Sequence, residues 1–276
     1  MKKLIRNLPH FKGKFRLVKW LYKKQLASAK DETVAGRFGL QYLLPNLKEN
    51  IAFEIFSDGV YEPETIEMIV RRLPENAVFL DIGANIGSIT MPVCQQRQDI
   101  RAVCVEASPK VYKYLESNIG LNNIKNCQLI NQLVGEVDND AVDFFSPDEL
   151  FGKGSSSPVF TDVPEKVRAV TLDTLLSEMK IPEVHFIKID IEGYEYFAFK
   201  GASKLLNRPQ APDILFEFLD WAEKLSGDAA PGDAQRLLLQ FGYQLFKVDK
   251  KNRLTKMDTQ QETGEAMIFA TKKTLS

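Results

Sequence analysis

The sequence predicts an α/β fold built on a doubly wound, mostly parallel sheet. Three observations predict it. From residue 77 onward, short apolar runs alternate with segments of helical periodicity, the signature of strand–helix–strand units. Several runs are apolar at nearly every position, which suits strands covered on both faces. The first run, 77–82, ends in a loop with Gly83 and Gly87 that opens a helix.

The elements follow in order. Residues 1–30 read as a basic helical segment, with Leu17, Val18, Leu21 and Tyr22 at helical spacing. Residues 31–75 read as helices and a short hairpin: 51–56 alternates weakly, 57–59 is a turn, and 63–73 is a helix. Strand 77–82 leads to helix 86–96, strand 101–106, helix 109–120 with Pro109 in its first turn, and strand 127–134. Regularity then fails over 135–163, a long insertion with one strand pair near 141–145. Insertions of this length in compact domains are usually functional. Strand 167–170, helix 172–179, strand 184–189, helix 194–206, strand 213–218 and helix 231–241 resume the alternation. Strands 243–248 and 266–270 close it as an antiparallel pair. We divide the chain into a basic helical extension, 1–59, and one domain, 60–276.

Composition narrows the function. The 276 residues are 44% apolar and 26% charged, enough for a large core. A net charge of −1 gives no global field that favours nucleic acid, and none is expected as a partner. Only His10 and His185 occur, so a multi-histidine metal site is excluded. His185 opens its strand and should lie at the edge away from the site. Cys94, Cys104 and Cys127 are odd in number and lack metal-like spacing, which suits buried, reduced thiols in the cytoplasm. No run of 18 apolar residues exists, so no membrane span is expected. Residues 1–25 hold nine Lys or Arg and no acid, set against an acidic body. Such a head can pack on the domain or rest on an anionic membrane face.

In doubly wound sheets, ligands bind at the carboxyl ends of the strands. The first strand ends Asp81-Ile-Gly83-Ala-Asn85-Ile-Gly87. A dinucleotide fingerprint wants a second glycine where Asn85 stands, and Asp81 would repel a pyrophosphate. Asp81 is suited instead to a cationic group such as an amino-acid ammonium. The second strand ends in Glu106, a carboxylate placed to accept both hydrogen bonds of a ribose diol.

The third and fourth site strands end in Asp190 and Glu217. If these strands are neighbours, the two carboxylates share a crevice, where they can share a proton or hold a hard divalent cation. Glu192 and Glu195 follow Asp190; Asp190 and Glu192 can also serve backbone amides of the next helix. Lys188, inside an apolar strand, needs a carboxylate, with Asp190 or Glu217 as the expected partner. Ser155 and Ser156, flanked by Gly152 and Gly154, suit either a lid over the acceptor or a solvated loop tip.

The runs Asp81-Ile-Gly-Ala-Asn-Ile-Gly87, Glu106-Ala-Ser-Pro109 and Lys188-Ile-Asp-Ile-Glu-Gly-Tyr-Glu195, with Gly201-Ala202, resemble the FkbM-type methyltransferases. Gly154-Ser155-Ser156 resembles an element of that family's central loop, whereas Ala198-Phe199 stands where an aliphatic pair is common. The resemblance covers about 60–270. It implies a Rossmann-like class I fold, S-adenosylmethionine as cofactor, and O-methylation of a sugar, glycan or small metabolite. It also implies that Asp81, Gly83, Asn85 and Gly87 line the cofactor, that Glu106 holds its ribose, and that Glu62 sits near its methionine end. Asp190, Glu217 and Lys188 are the candidates for the chemistry, with Ser155, Ser156, Glu192 and Glu195 for the acceptor. Competing readings are a nicotinamide-dependent oxidoreductase, which the glycine spacing and Asp81 disfavour, and a non-catalytic binding domain. A nucleic-acid methyltransferase is disfavoured by the acidic body.

Overall fold

The computed structural model describes residues 13–159 and 161–275. Helices α1 (Lys14–Leu21) and α2 (Lys23–Ser28) precede a hairpin of β1 (Lys30–Ala35) and β2 (Gln41–Asn46). Helices α3 (Asn50–Asp58) and α4 (Pro63–Arg72) lead to β3 (Val78–Ile82). Then come α5 (Thr90–Gln96), β4 (Arg101–Val105), α6 (Pro109–Leu121), β5 (Cys127–Ile130), β6 (Leu133–Val134), β7 (Asn139–Phe144) and β8 (Glu165–Val170). The second half runs α7 (Leu172–Glu178), β9 (Phe186–Ile189), α8 (Glu195–Lys200), α9 (Ser203–Leu206), β10 (Asp213–Leu219), α10 (Asp220–Leu225) and α11 (Asp233–Gln240). Strands β11 (Gln244–Val248), β12 (Leu254–Lys256) and β13 (Glu265–Thr271) finish the chain.

The main sheet has the order β12-β11-β13-β10-β9-β3-β4-β5. The five strands from β10 to β5 are parallel, and β13 inserts antiparallel between β10 and β11. Chain order therefore reverses between β3 and β9, where a doubly wound sheet opens its crevice. Register sets the site: Asp81 of β3 lies opposite Lys188 of β9, and Lys188 lies opposite Leu215 of β10. The insertion forms a second sheet, β6-β8-β7.

Three local expectations differ. Residues 51–56 are helical, not a hairpin strand. The Glu49 carboxylate accepts from the Ile51 and Ala52 amides, and Gly59 at φ 78° closes the helix in the left-handed form. The hairpin lies earlier, in β1–β2. The helix expected over 194–206 breaks at Gly201, where a Cβ would fall 2.0 Å from the Gly135 carbonyl oxygen. The strand expected over 127–134 divides between two sheets.

The N-terminal segments share a core with the sheet. Val34, Tyr42, Leu44 and Ile55 pack with Ile86, Cys104 and Leu115. Asn118, fully buried on α6, is the polar rivet. Its side-chain oxygen accepts from the Leu43 amide at 2.6 Å, and its nitrogen donates to the Ile86 carbonyl at 3.0 Å. Asn118→Ala would orphan both backbone groups. We expect a loss of about 2–4 kcal/mol, read as a lower urea midpoint with an unchanged slope.

Candidate active site

A cavity of about 630 Å³ opens at the carboxyl ends of β3, β4, β9 and β10. That volume suits a cofactor with room for an acceptor. Gly83 turns away from β3 with φ 77°, and a Cβ there would fall 2.0 Å from the Asp190 carbonyl oxygen. Only glycine lets the two strand ends meet this closely. Asn85 also takes a left-handed backbone (φ 52°), which asparagine tolerates. Its amide donates to Glu106 Oε2 at 2.9 Å and its side chain donates to the Phe151 carbonyl at 3.2 Å. Glu106 Oε1 accepts from the Ser108 amide at 2.9 Å. Burial pushes the Glu106 carboxyl up to about 7, although those two amides and Lys188 pull the other way.

Lys188 ties the site together. Its ammonium lies 3.5 Å from Asp81 Oδ1, 3.5 Å from Asp190 Oδ2 and 3.4 Å from the Gly83 carbonyl. Burial alone would lower its pKa, but Asp81, Asp190 and Glu62 outweigh it, and the net shift is upward. Lys188 is therefore a fixed cation and not a proton acceptor. Its partners are Asp81 and Asp190; the expected alternative, Glu217, is not bonded to it in the structure.

Asp190, Glu192, Glu217, Glu62 and Ser156 line the cavity with Gly83, Asn85 and Glu106. Burial pushes the Glu217 carboxyl up to about 8, helped by the charges of Asp190, Glu192 and Glu62. Burial and Asp190 likewise raise Glu62, which starts α4 in a left-handed conformation (φ 41°). Glu192, at φ 54°, pairs with Lys153 of the insertion at 2.7 Å.

Four expected residues stand behind the wall. Asp81 is fully buried and accepts from the Thr90 hydroxyl, so it meets Lys188 and not a ligand ammonium. Gly87 packs against Leu115 and Met91. Ser155 bridges to Phe145 through its backbone, and its hydroxyl accepts from the Ser157 amide at 3.1 Å. Glu195 is buried with its Oε1 accepting from the Ile191 amide at 2.9 Å, and burial raises its pKa well above the usual range. His185 lies at the far end of β9, accepting from the Val78 amide at 3.0 Å.

Lys153 and Tyr61 also line the cavity and were not anticipated. Lys153 sits between Gly152 and Gly154, in a stretch read only for its serines and glycines. Tyr61 adjoins Glu62 and hydrogen-bonds its carboxyl. Among the described residues, no group of three or more His, Cys, Asp or Glu is arranged to hold a metal ion.

Strand reversal at β3 and β9, the antiparallel β13 beside β10, the glycine turn and the acid ending β4 define a class. This is a Rossmann-like class I methyltransferase domain whose cofactor is S-adenosylmethionine. The family profile of the methyltransferase FkbM domain matches residues 81–245, and the chain belongs to that family. The hexuronic acid methyltransferase AglP of Haloferax volcanii is 23% identical over 145 residues, 52% of this chain and 58% of that protein. A tRNA(Phe) (4-demethylwyosine(37)-C(7)) aminocarboxypropyltransferase of Methanocaldococcus jannaschii is 30% identical over 116 residues, 41% of this chain and 42% of that protein. The chain thus spans about half the length of these relatives. The solved precorrin-6y C5,15-methyltransferase of Geobacter metallireducens aligns over 77% of this chain and 86% of its own, with 15% identity and a TM-score of 0.44.

Two outcomes follow. Lys188→Met strands Asp81 without its cation and should cost about 3–5 kcal/mol in urea denaturation. Adding Asp81→Asn should restore part of that loss. The buried acids set a pH dependence. Glu106 and Glu217 are raised to about 7 and about 8 when folded, against about 4.3 for an ordinary glutamate. Their contribution to stability is fully present below the ordinary value and is lost as pH rises through 7 to 8. Urea midpoints of the ligand-free protein should fall from about pH 5 to about pH 8, less steeply in Glu217→Gln. Midpoints that rise over this window would contradict the assignment.

Proposed function

We propose that the protein is an O-methyltransferase that methylates a neutral hydroxyl of a sugar, glycan or small metabolite, with Glu217 as general base. One observation carries this reading: the Glu217 carboxyl stands on the wall of the cavity that holds the glycine turn and Glu106, where burial and the neighbouring acids raise its pKa. A base poised near working pH is what an alcohol needs, because a hydroxyl is a poor nucleophile until its proton is taken.

The residues present fit the cofactor. Gly83 and Asn85 line the cavity, Glu106 retains lone pairs for a ribose diol, and Glu62 faces the same space. The acid excess of the walls complements a sulfonium. Bound there, S-adenosylmethionine supplies an electrophilic methyl that needs no further activation. The chain's own tasks are then to orient the acceptor, remove its proton and exclude water. Glu217 takes the proton, and Asp190, steadied by Lys188, is placed to hold the acceptor. Lys153 brings the insertion over the opening through Glu192.

Sugar-type acceptors draw support from the Haloferax volcanii relative, whose name specifies hexuronic acid. Glu54, Glu62, Asp190, Glu192 and Glu217 at one opening offer hydrogen-bond partners to an uncharged hydroxyl.

Release of S-adenosylhomocysteine, measured across neutral sugars, uronic acids and tRNA, tests the acceptor. Turnover only with tRNA would reject the proposal. With an active acceptor, Glu217→Gln should lower kcat by about a hundredfold or more, a larger effect than on cofactor affinity. An unaffected kcat would remove Glu217 as base.

A further inference from the structure

We infer that α1 and α2 form a docking face for an anionic lipid surface. The inference stands apart from the choice of acceptor. One side of α1 is committed to the protein. Val18 is buried, Lys14 pairs with Asp58 at 2.6 Å, and Phe15 meets the Phe53 ring edge-on at 5.4 Å. Tyr22 meets Phe56 in the same way at 5.3 Å. Trp20, 73% exposed, lies across the helix, and Leu17 and Leu21, 37% and 38% exposed, flank the buried side. These positions, with Lys24, share one helical face.

The stripe is rimmed by cations. Arg16, Lys19, Lys23, Lys24 and Lys30 are exposed, and no acidic residue occurs from 13 through 30. The rest of the chain is acidic, so this face is where the protein meets an anionic surface favourably. An exposed indole beside leucines and lysines suits the lipid headgroup layer, which takes up the ring and attracts the charges. The apolar stripe favours lipid over nucleic acid, which would bind the lysines and leave Trp20 in water. Among the described residues no helix is long and apolar enough to cross a membrane, so the contact is peripheral. Residues 1–12, the remainder of the basic head, lie outside the described residues. The face also sits close to the site. Helix α3 packs against α1 through Phe53 and lines the cavity with Ile51 and Glu54. A docked protein would therefore hold its cavity one helix away from the headgroups.

The test uses the full chain with Trp221→Phe, which leaves Trp20 as the sole indole. It is sedimented with vesicles of phosphatidylcholine alone, or of phosphatidylcholine mixed with phosphatidylserine. We expect pelleting with the anionic vesicles, loss of pelleting in high salt, and a blue shift of Trp20 emission. Lys23→Gln and Lys24→Gln should each weaken binding about fivefold. Trp20→Ser and Leu17→Gln should weaken it without altering calorimetric binding of S-adenosylmethionine. Equal pelleting with both compositions, or an unshifted indole, would overturn the inference. A shift that grows with protein concentration in the absence of vesicles would assign the face to a second copy. Capture by RNA but not by anionic vesicles would assign it to nucleic acid. Failure of the wild type to bind S-adenosylmethionine would count against the cofactor assignment and leave the vesicle result standing.

Discussion

A single buried ammonium, that of Lys188, holds together the two strand ends that make the site. It spans Asp81 on β3 and Asp190 after β9, and it touches the carbonyl of Gly83. Backbone pairing of these strands ends with the Asp190 amide donating to the Ile82 carbonyl at 3.1 Å, and beyond that bond side chains and the glycine turn shape the carboxyl ends. Desolvating one lysine and two carboxylates is costly unless they meet. Their meeting fixes how far Asp190 projects, and the missing Cβ of Gly83 lets the backbones close. The cavity floor follows from this arrangement. The walls then come from elements that have no part in the sheet.

Those walls are drawn from distant stretches of chain: α3 and the start of α4 before the sheet, and the insertion around Lys153. The cavity wall also contains residues in uncommon backbone conformations. Glu62, Asn85 and Glu192 all adopt left-handed conformations on the wall itself. Such conformations cost a residue with a side chain of order 1–2 kcal/mol. Three of them around one space show that local comfort has given way to the aim of particular groups.

Much of the fold was legible because strand periodicity and glycine placement act locally. The buried runs of β3, β4, β9 and β10 carry their environment in their composition, and the strand-end acids follow from alternation. The helix α3 was not legible. Its apolar residues alternate enough to mimic a strand, and the cap that decides the matter lies at Glu49. At the site, position along a strand identified Glu106, Asp190 and Glu217 as cavity residues. It could not separate Asp81, two residues before Gly83, from the wall in front of it. That distinction depends on Thr90 and Lys188 arriving from elsewhere. Glu195 and Ser155 misled for a related reason, since each serves backbone groups beside the cavity. Lys153 was hidden because its partner Glu192 lies far away in sequence.

The raised carboxyls give the cavity one more property. Burial raises Glu106 to about 7 and Glu217 to about 8, which favours their protonated forms near neutral pH. A cationic sulfonium entering among these groups favours their ionised forms, so its arrival is coupled to the departure of protons into the buffer. The heat of binding then includes the buffer's own heat of protonation. On the proposed site assignment, cofactor capture would be an ion exchange, in which a positively charged ligand displaces hydrogen ions held in the cleft.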